Sequence, residues 1–155
     1  MRPFLPDWMP VIAWMALILL GSTDVLAAEN TSRFLAPVLR WLDPGIAWAV
    51  IDMIHTVMRK LGHVTEYAIL AILLRPALGG SKTFKRRIWI LFALVWCACA
   101  IFAGSDEFHQ SFISSRMPSV HDVMIDTCGA LVGLAICWLF AGRRSIEFEI
   151  TPAKH

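Results

Sequence analysis

Between Ser105 and Asp126 the chain reads SDEFHQSFISSRMPSVHDVMID, which gathers Asp106, Glu107, His109, Gln110, Arg116, His121, Asp122 and Asp126 between two apolar runs, Ile88 to Ala103 and Thr127 to Phe140. A second polar group comprises Lys60, His63 and Tyr67, with Glu66 beside Tyr67, at spacings of three and four that place it on one helix stripe. An unpaired ionisable group at the centre of a membrane helix costs about 2.5 to 3.5 kcal/mol, so such groups face one another, water or a ligand. Their types suit acid–base chemistry. Asp106, Glu107 and Glu66 could serve as acid or base, His63 or His109 as proton shuttle, and Lys60 with Arg116 as an anion clamp. The guanidinium of Arg116 offers a fork of donors for a carboxylate or phosphate, and Tyr67, Gln110, Asp122 and Asp126 would complete a substrate-binding side.

The elements that must position these groups are membrane helices. In 155 residues there is room for one domain, and 57% hydrophobic residues with 17% charged ones and a mean hydropathy of +0.63 describe an all-α integral membrane protein. A net charge of +2 from scattered basic residues excludes the basic face that nucleic acid requires. All four cysteines, Cys97, Cys99, Cys128 and Cys137, fall in apolar runs and read as small packing residues. Histidines and carboxylates are present in the right supply for a divalent metal, but no spacing matches a ligand motif, and no cofactor is implied.

Four spans are expected. The first runs from about Trp8 to Ala27, with an apolar centre, Val11 to Leu20, that is short for the roughly 20 residues a span needs; a cleaved signal peptide ending near Ala27 and Ala28 is the rival reading. From Asn30 to Arg59 apolar residues recur at helical spacing on either side of Asp43-Pro44-Gly45, which predicts two amphipathic helices lying in the first outer interface. A second span, about Leu61 to Leu78, ends at Pro76 and Gly79-Gly80, and the two apolar runs flanking the polar stretch supply the third and fourth.

Lys82, Lys85, Arg86 and Arg87 crowd the connection before the third span, and Arg143 and Arg144 follow the fourth. By the positive-inside rule these sites and both termini are cytoplasmic. Both polar groups then lie at the outer ends of their helices, where they can meet in one pocket. Asp106 and His109 share a stripe if the third helix continues, as do Asp122 and Asp126, and below them Gly129 and Gly133 form a GxxxG pattern that signals close helix packing.

Lys60-x-x-His63-x-x-Glu66-Tyr67, Asp106-Glu107-x-His109-Gln110-x-Phe112, Arg116, Asp122, Asp126 and Gly129-Ala130 together resemble the VanZ-like family, named for a protein linked to low-level teicoplanin resistance. The motif-bearing part covers about residues 59–133 of a single VanZ-like domain. What the resemblance implies is a small multispanning protein of the bacterial inner membrane, with no particular reaction attached. Three function classes stay open: a membrane enzyme acting on an envelope lipid or lipid-linked precursor, a lipid or glycopeptide binding and shielding protein without turnover, and a purely structural polar network. Four short spans with charge at one end and none at mid-depth argue against a transport path.

Overall fold

The computed structural model describes residues 5–21, 28–79, 87–112 and 119–150, the side chains of 5–6, 28–34 and 141–150 excepted. It is all-helical among these residues: α1 (Leu5–Gly21), α2 (Ala28–Leu42), α3 (Trp48–Gly79), α4 (Ile88–Gln110) and α5 (Val120–Ile150). Three of them, α3, α4 and the Val120–Phe140 part of α5, are long and apolar enough to cross a membrane. The apolar part of α1, Asp7–Gly21, is shorter.

Two sequence expectations are corrected. The second amphipathic helix and the second span are one element, because nothing between Trp48 and Gly79 stops a helix: Gly62 lacks the neighbouring proline that would turn it into a break, and Pro76 falls within the last turn. At 32 residues α3 measures about 48 Å, against a hydrocarbon thickness of about 30 Å, so its first part extends beyond any span. Before Tyr67 it buries Ile51 alone, and from Tyr67 onward it buries Ala68, Leu70, Ala71 and Leu74. The polar stretch, likewise, is less of a connection than its composition suggests. Helix α4 runs through Asp106 to Gln110, and α5 already begins at Val120.

The expected first amphipathic helix is present as α2, which is strongly amphipathic and leaves Val38, Trp41 and Leu42 exposed. It ends in the expected break, where the Asp43 carboxylate accepts a hydrogen bond from the Gly45 N–H at 2.9 Å. Across the break the Arg40 guanidinium sits 4.0 Å from the centre of the Trp48 ring.

Helix α3 is the centre of the bundle and touches every other helix, α5 most extensively. Val64 lies against Gly129 and Ala68 against Gly133, so α3 and α5 run parallel. A Cβ at Gly129 would stand 2.5 Å from the Val64 carbonyl oxygen, and one at Gly133 would come closer still to that of Ala68. Only hydrogen fits there, and the two backbones approach accordingly. Helix α4 is antiparallel to both: Tyr67 meets Phe102 with ring centres 6.2 Å apart while Gly79 faces Leu91, and the Trp96 indole donates to the Thr127 carbonyl at 3.3 Å.

A seam of Leu91, Val95, Cys99 and Ala103 on α4 packs with Tyr67, Leu70, Ala71 and Leu74 of α3, Ala130 and Leu134 of α5, and Val11 and Ile18 of α1. The Trp14 indole adds a hydrogen bond to the Glu66 carbonyl at 2.9 Å, which ties α1 to α3 at the level of the polar residues. Large apolar side chains also face outward, among them Leu61, Trp89, Ile101 and Trp138. That surface suits lipid rather than water. Of the cysteines, Cys99 is a core residue as expected, whereas Cys97 and Cys128 are exposed, since each stands about 100° or more round its helix from the buried seam.

Candidate functional site

The apolar seam of α4 changes character in its last two turns. The face that buries Cys99 and Ala103 goes on to bury Asp106, Glu107 and Gln110, because all five follow helical spacing. The first two turns of α5 bury Asp122 and Asp126, and α3 brings Tyr67, 0% exposed, to the same level. Two polar groups about forty residues apart in sequence therefore share one end of the bundle.

Two matched pairs join α3 to α5. Arg59 Nη2 donates to Asp122 Oδ2 at 2.7 Å, and one turn further along both helices His63 Nδ1 lies 3.0 Å from Asp126 Oδ1. The second pair is the more enclosed, its side chains 13% and 1% exposed against 39% and 11% for the first. Because the helices are parallel and in register, the same i to i+4 step on each advances both pairs together. With Asp126 ionised, Nδ1 carries the imidazole proton and donates it to the carboxylate, leaving Nε2 to take up or release a proton.

Within α4, Gln110 Nε2 donates to Asp106 Oδ2 at 3.0 Å. Glu107 reaches across to α5, where its Oε2 accepts from the Ser119 N–H at 2.8 Å. That N–H precedes the first turn of α5, whose Asp122 N–H bonds back to the Ser119 carbonyl. A carboxylate there satisfies a donor the helix cannot use and complements the positive end of its dipole.

Other candidates fall elsewhere. Lys60 is exposed, and the cation in its place is Arg59, a residue the sequence reading did not single out. The missed signal is its position: Arg59 precedes His63 by four residues as Asp122 precedes Asp126. His109 is also exposed, about 100° round α4 from Gln110 and so off the stripe expected to hold it with Asp106. Glu66 is half-buried, and its backbone carbonyl accepts the hydrogen bond from the Trp14 indole of α1. Arg116, the other half of the expected clamp, lies outside the described residues, as do Ala27, Lys82, Lys85 and Arg86, together with the side chains of Arg143 and Arg144.

Three buried polar atoms at this end of the bundle have no hydrogen-bond partner among the described residues: the Tyr67 hydroxyl, Glu107 Oε1 and Asp126 Oδ2. Among those residues no three His, Cys, Asp or Glu side chains converge as a metal site would need.

The same end of the chain carries the family motifs, and a family model described as VanZ/LLP1 matches residues 8–141. The chain belongs to the VanZ/LLP1 family. The match extends well beyond the 59–133 segment that bears the motifs, taking in most of α1, all of α2 and the first part of α3. Comparison with curated proteins and with solved structures finds no match. Within this VanZ/LLP1 protein the matched segment holds every residue of the polar end, from Arg59 to Asp126.

Proposed function

We propose that this protein is a bacterial inner-membrane member of its family that binds the headgroup of an envelope lipid or lipid-linked precursor in the polar end of its bundle. The observation that carries this reading is the set of three open atoms, Tyr67 Oη, Glu107 Oε1 and Asp126 Oδ2. A network serving only to pin helices would leave few so close together, since each buried polar atom without a partner costs about 1 to 3 kcal/mol. Here Glu107 and Asp126 each spend one oxygen on the fold, and the other has no partner among the described residues.

In this reading α1 is a fourth span and the polar end faces outward. Gly79 and Arg87, which flank the basic connection, lie at the opposite end of α3 and α4, and by the positive-inside rule that end is cytoplasmic together with both termini. A headgroup pocket at the outer boundary is where envelope precursors are handled, and a link to teicoplanin resistance follows if the protein holds or alters the lipid-linked target. The His63–Asp126 pair adds a proton-exchanging nitrogen, so turnover of the bound lipid is compatible with the same site.

The structural reading draws on the interhelix pairs Arg59–Asp122 and His63–Asp126. One experiment separates the classes: mass spectrometry of an envelope-lipid extract after incubation with the purified wild type and with Asp126→Asn. A lipid whose mass changes only with the wild type shows an enzyme. One that co-purifies unchanged with the wild type and is lost from the folded variant shows a binding protein. If neither occurs and the variant is merely less stable, the network is structural.

A further inference from the structure

Away from the polar end, α4 and α5 form a groove of about 500 Å³, within the roughly 300 to 1,000 Å³ range of sites that hold small ligands. Its shape follows from side-chain size. Trp89, Ala93 and Trp96 on α4 and Leu131, Ala135 and Trp138 on α5 use the same steps of four and three, which keep each set on one helix face. Each set places an alanine between two large side chains, so two antiparallel helices leave a hollow between shared walls. Phe92 meets Trp89 edge to face, with ring centres 6.1 Å apart. The Trp96 indole is tied to the Thr127 carbonyl, so its ring reaches from α4 to α5 and closes the groove toward the middle of the bundle. Trp89 is seven residues from Trp96, a run of about 10 Å against a hydrocarbon thickness of about 30 Å, and it stands next to the start of α4, at headgroup depth.

Both helices are long and apolar enough to cross a membrane, so the groove opens on hydrocarbon. Another helix is a poor occupant. Membrane helices pack closely through small residues, whereas Trp89, Trp96 and Trp138, 70%, 38% and 55% exposed, stand out from this face and hold a neighbour off. A hydrocarbon chain is thin enough to lie between them, and its headgroup then falls at the open end, where Arg87 is exposed two residues before Trp89. The charge at this end has one sign. Between Glu66 and Asp106 the sequence carries Arg75, Lys82, Lys85, Arg86 and Arg87 and no acid, and between Asp126 and Arg143 there is no acid either.

We infer that the α4–α5 groove holds one acyl chain of an anionic phospholipid, with the lipid phosphate at Arg87 beside the groove's mouth. On the topology proposed above this is a lipid of the cytoplasmic leaflet, where basic groups beside helix clefts recognise acidic headgroups. The site itself does not depend on the headgroup reading of the polar end. Its aromatic walls offer a chain fixed dispersion contacts along one side.

Native mass spectrometry tests the site on the full-length protein, delipidated in detergent and titrated separately with dioleoyl phosphatidylglycerol and dioleoyl phosphatidylcholine. The wild type is expected to retain one phosphatidylglycerol roughly fivefold more tightly than phosphatidylcholine, the effect of one arginine near an acidic headgroup. Ala93→Leu and Ala135→Leu fill the groove at exposed positions, and each is expected to weaken retention of both lipids roughly tenfold. Arg87→Gln should abolish the preference for the glycerol lipid and leave the chain bound. A brominated acyl chain gives a second readout that needs no variant, since bromine in the groove quenches the tryptophans: at equal mole fraction the brominated glycerol lipid should quench the wild type more than the brominated choline lipid. Equal retention of the two lipids by the wild type, or unchanged retention in both filled variants, overturns the inference. If the filled variants instead lose a dimer that the wild type forms, with bound lipid unchanged, the groove is an interface between copies and the lipid assignment is wrong. Should the filled variants not fold, equal quenching by the two brominated lipids overturns it. None of these outcomes bears on the polar end, whose reading is decided by Asp126→Asn.

Discussion

The His63 imidazole and the Asp126 carboxylate meet at 3.0 Å within one turn of the point where Val64 lies against Gly129. The two features depend on each other. Aspartate is short, and it spans to a histidine on the neighbouring helix because the glycines below let the α3 and α5 backbones approach until no Cβ fits between them. The structure therefore ties the geometry of the polar end to packing in the apolar half.

Replacing Gly129 or Gly133 should accordingly damage both stability and the site. Gly133→Val is expected to push α5 off α3 and to lower stability by at least the roughly 1 to 3 kcal/mol typical of overpacking. Gly104→Ala is the control, since an added Cβ there meets nothing within 4 Å. Thermal unfolding in detergent should separate them, with Gly104→Ala equal to or slightly above the wild type because alanine favours helix.

A double-mutant cycle measures the enclosed pair. His63→Leu leaves Asp126 buried without its partner, at a cost of about 3 to 5 kcal/mol, and His63→Leu with Asp126→Leu should recover a good part of that loss. Additive losses in the cycle would mean that the two side chains do not interact.

The outer pair predicts a smaller effect. Arg59 is 39% exposed, and a pair so open to solvent contributes about 0 to 1 kcal/mol, so Arg59→Ala should lower stability slightly and more at low salt than at high. Lys60→Ala should change neither stability nor lipid binding. If Lys60→Ala abolishes binding while Arg59→Ala does not, the cation at the site has been misassigned.

Glu107 has a structural duty that can be told apart from ligand binding. Glu107→Ala removes the acceptor at the start of α5 and should cost about 1 kcal/mol, as loss of a helix cap does, while Glu107→Gln should retain most of that stability. Comparing unfolding midpoints of the two with their retained lipid by mass spectrometry gives the separation. Equal stability of the two variants would show that the Ser119 contact contributes nothing.

His109→Ala should leave lipid binding and any turnover at the wild-type level, because its side chain points away from Asp106 and Gln110. A complete loss of function in that variant would return His109 to the site.

Much of the molecule followed from the sequence alone. Hydropathy announced membrane helices because a long apolar run has few other uses, and the pattern of basic residues put the Lys60–Tyr67 and Asp106–Asp126 groups at the same end. Small residues four apart at Gly129 and Gly133 announced a close crossing for the same kind of reason: what they permit depends only on their size. Tertiary structure decided what depends on rotation and partner. Whether Arg59 or Lys60, adjacent in the chain and about 100° apart on α3, turns inward is set by where α5 packs. The same rotation on α4 buries Gln110 and leaves His109 outside. Which oxygen of Glu107 or Asp126 is spent on the fold, and which is left without a partner among the described residues, exists only once three helices have been brought together.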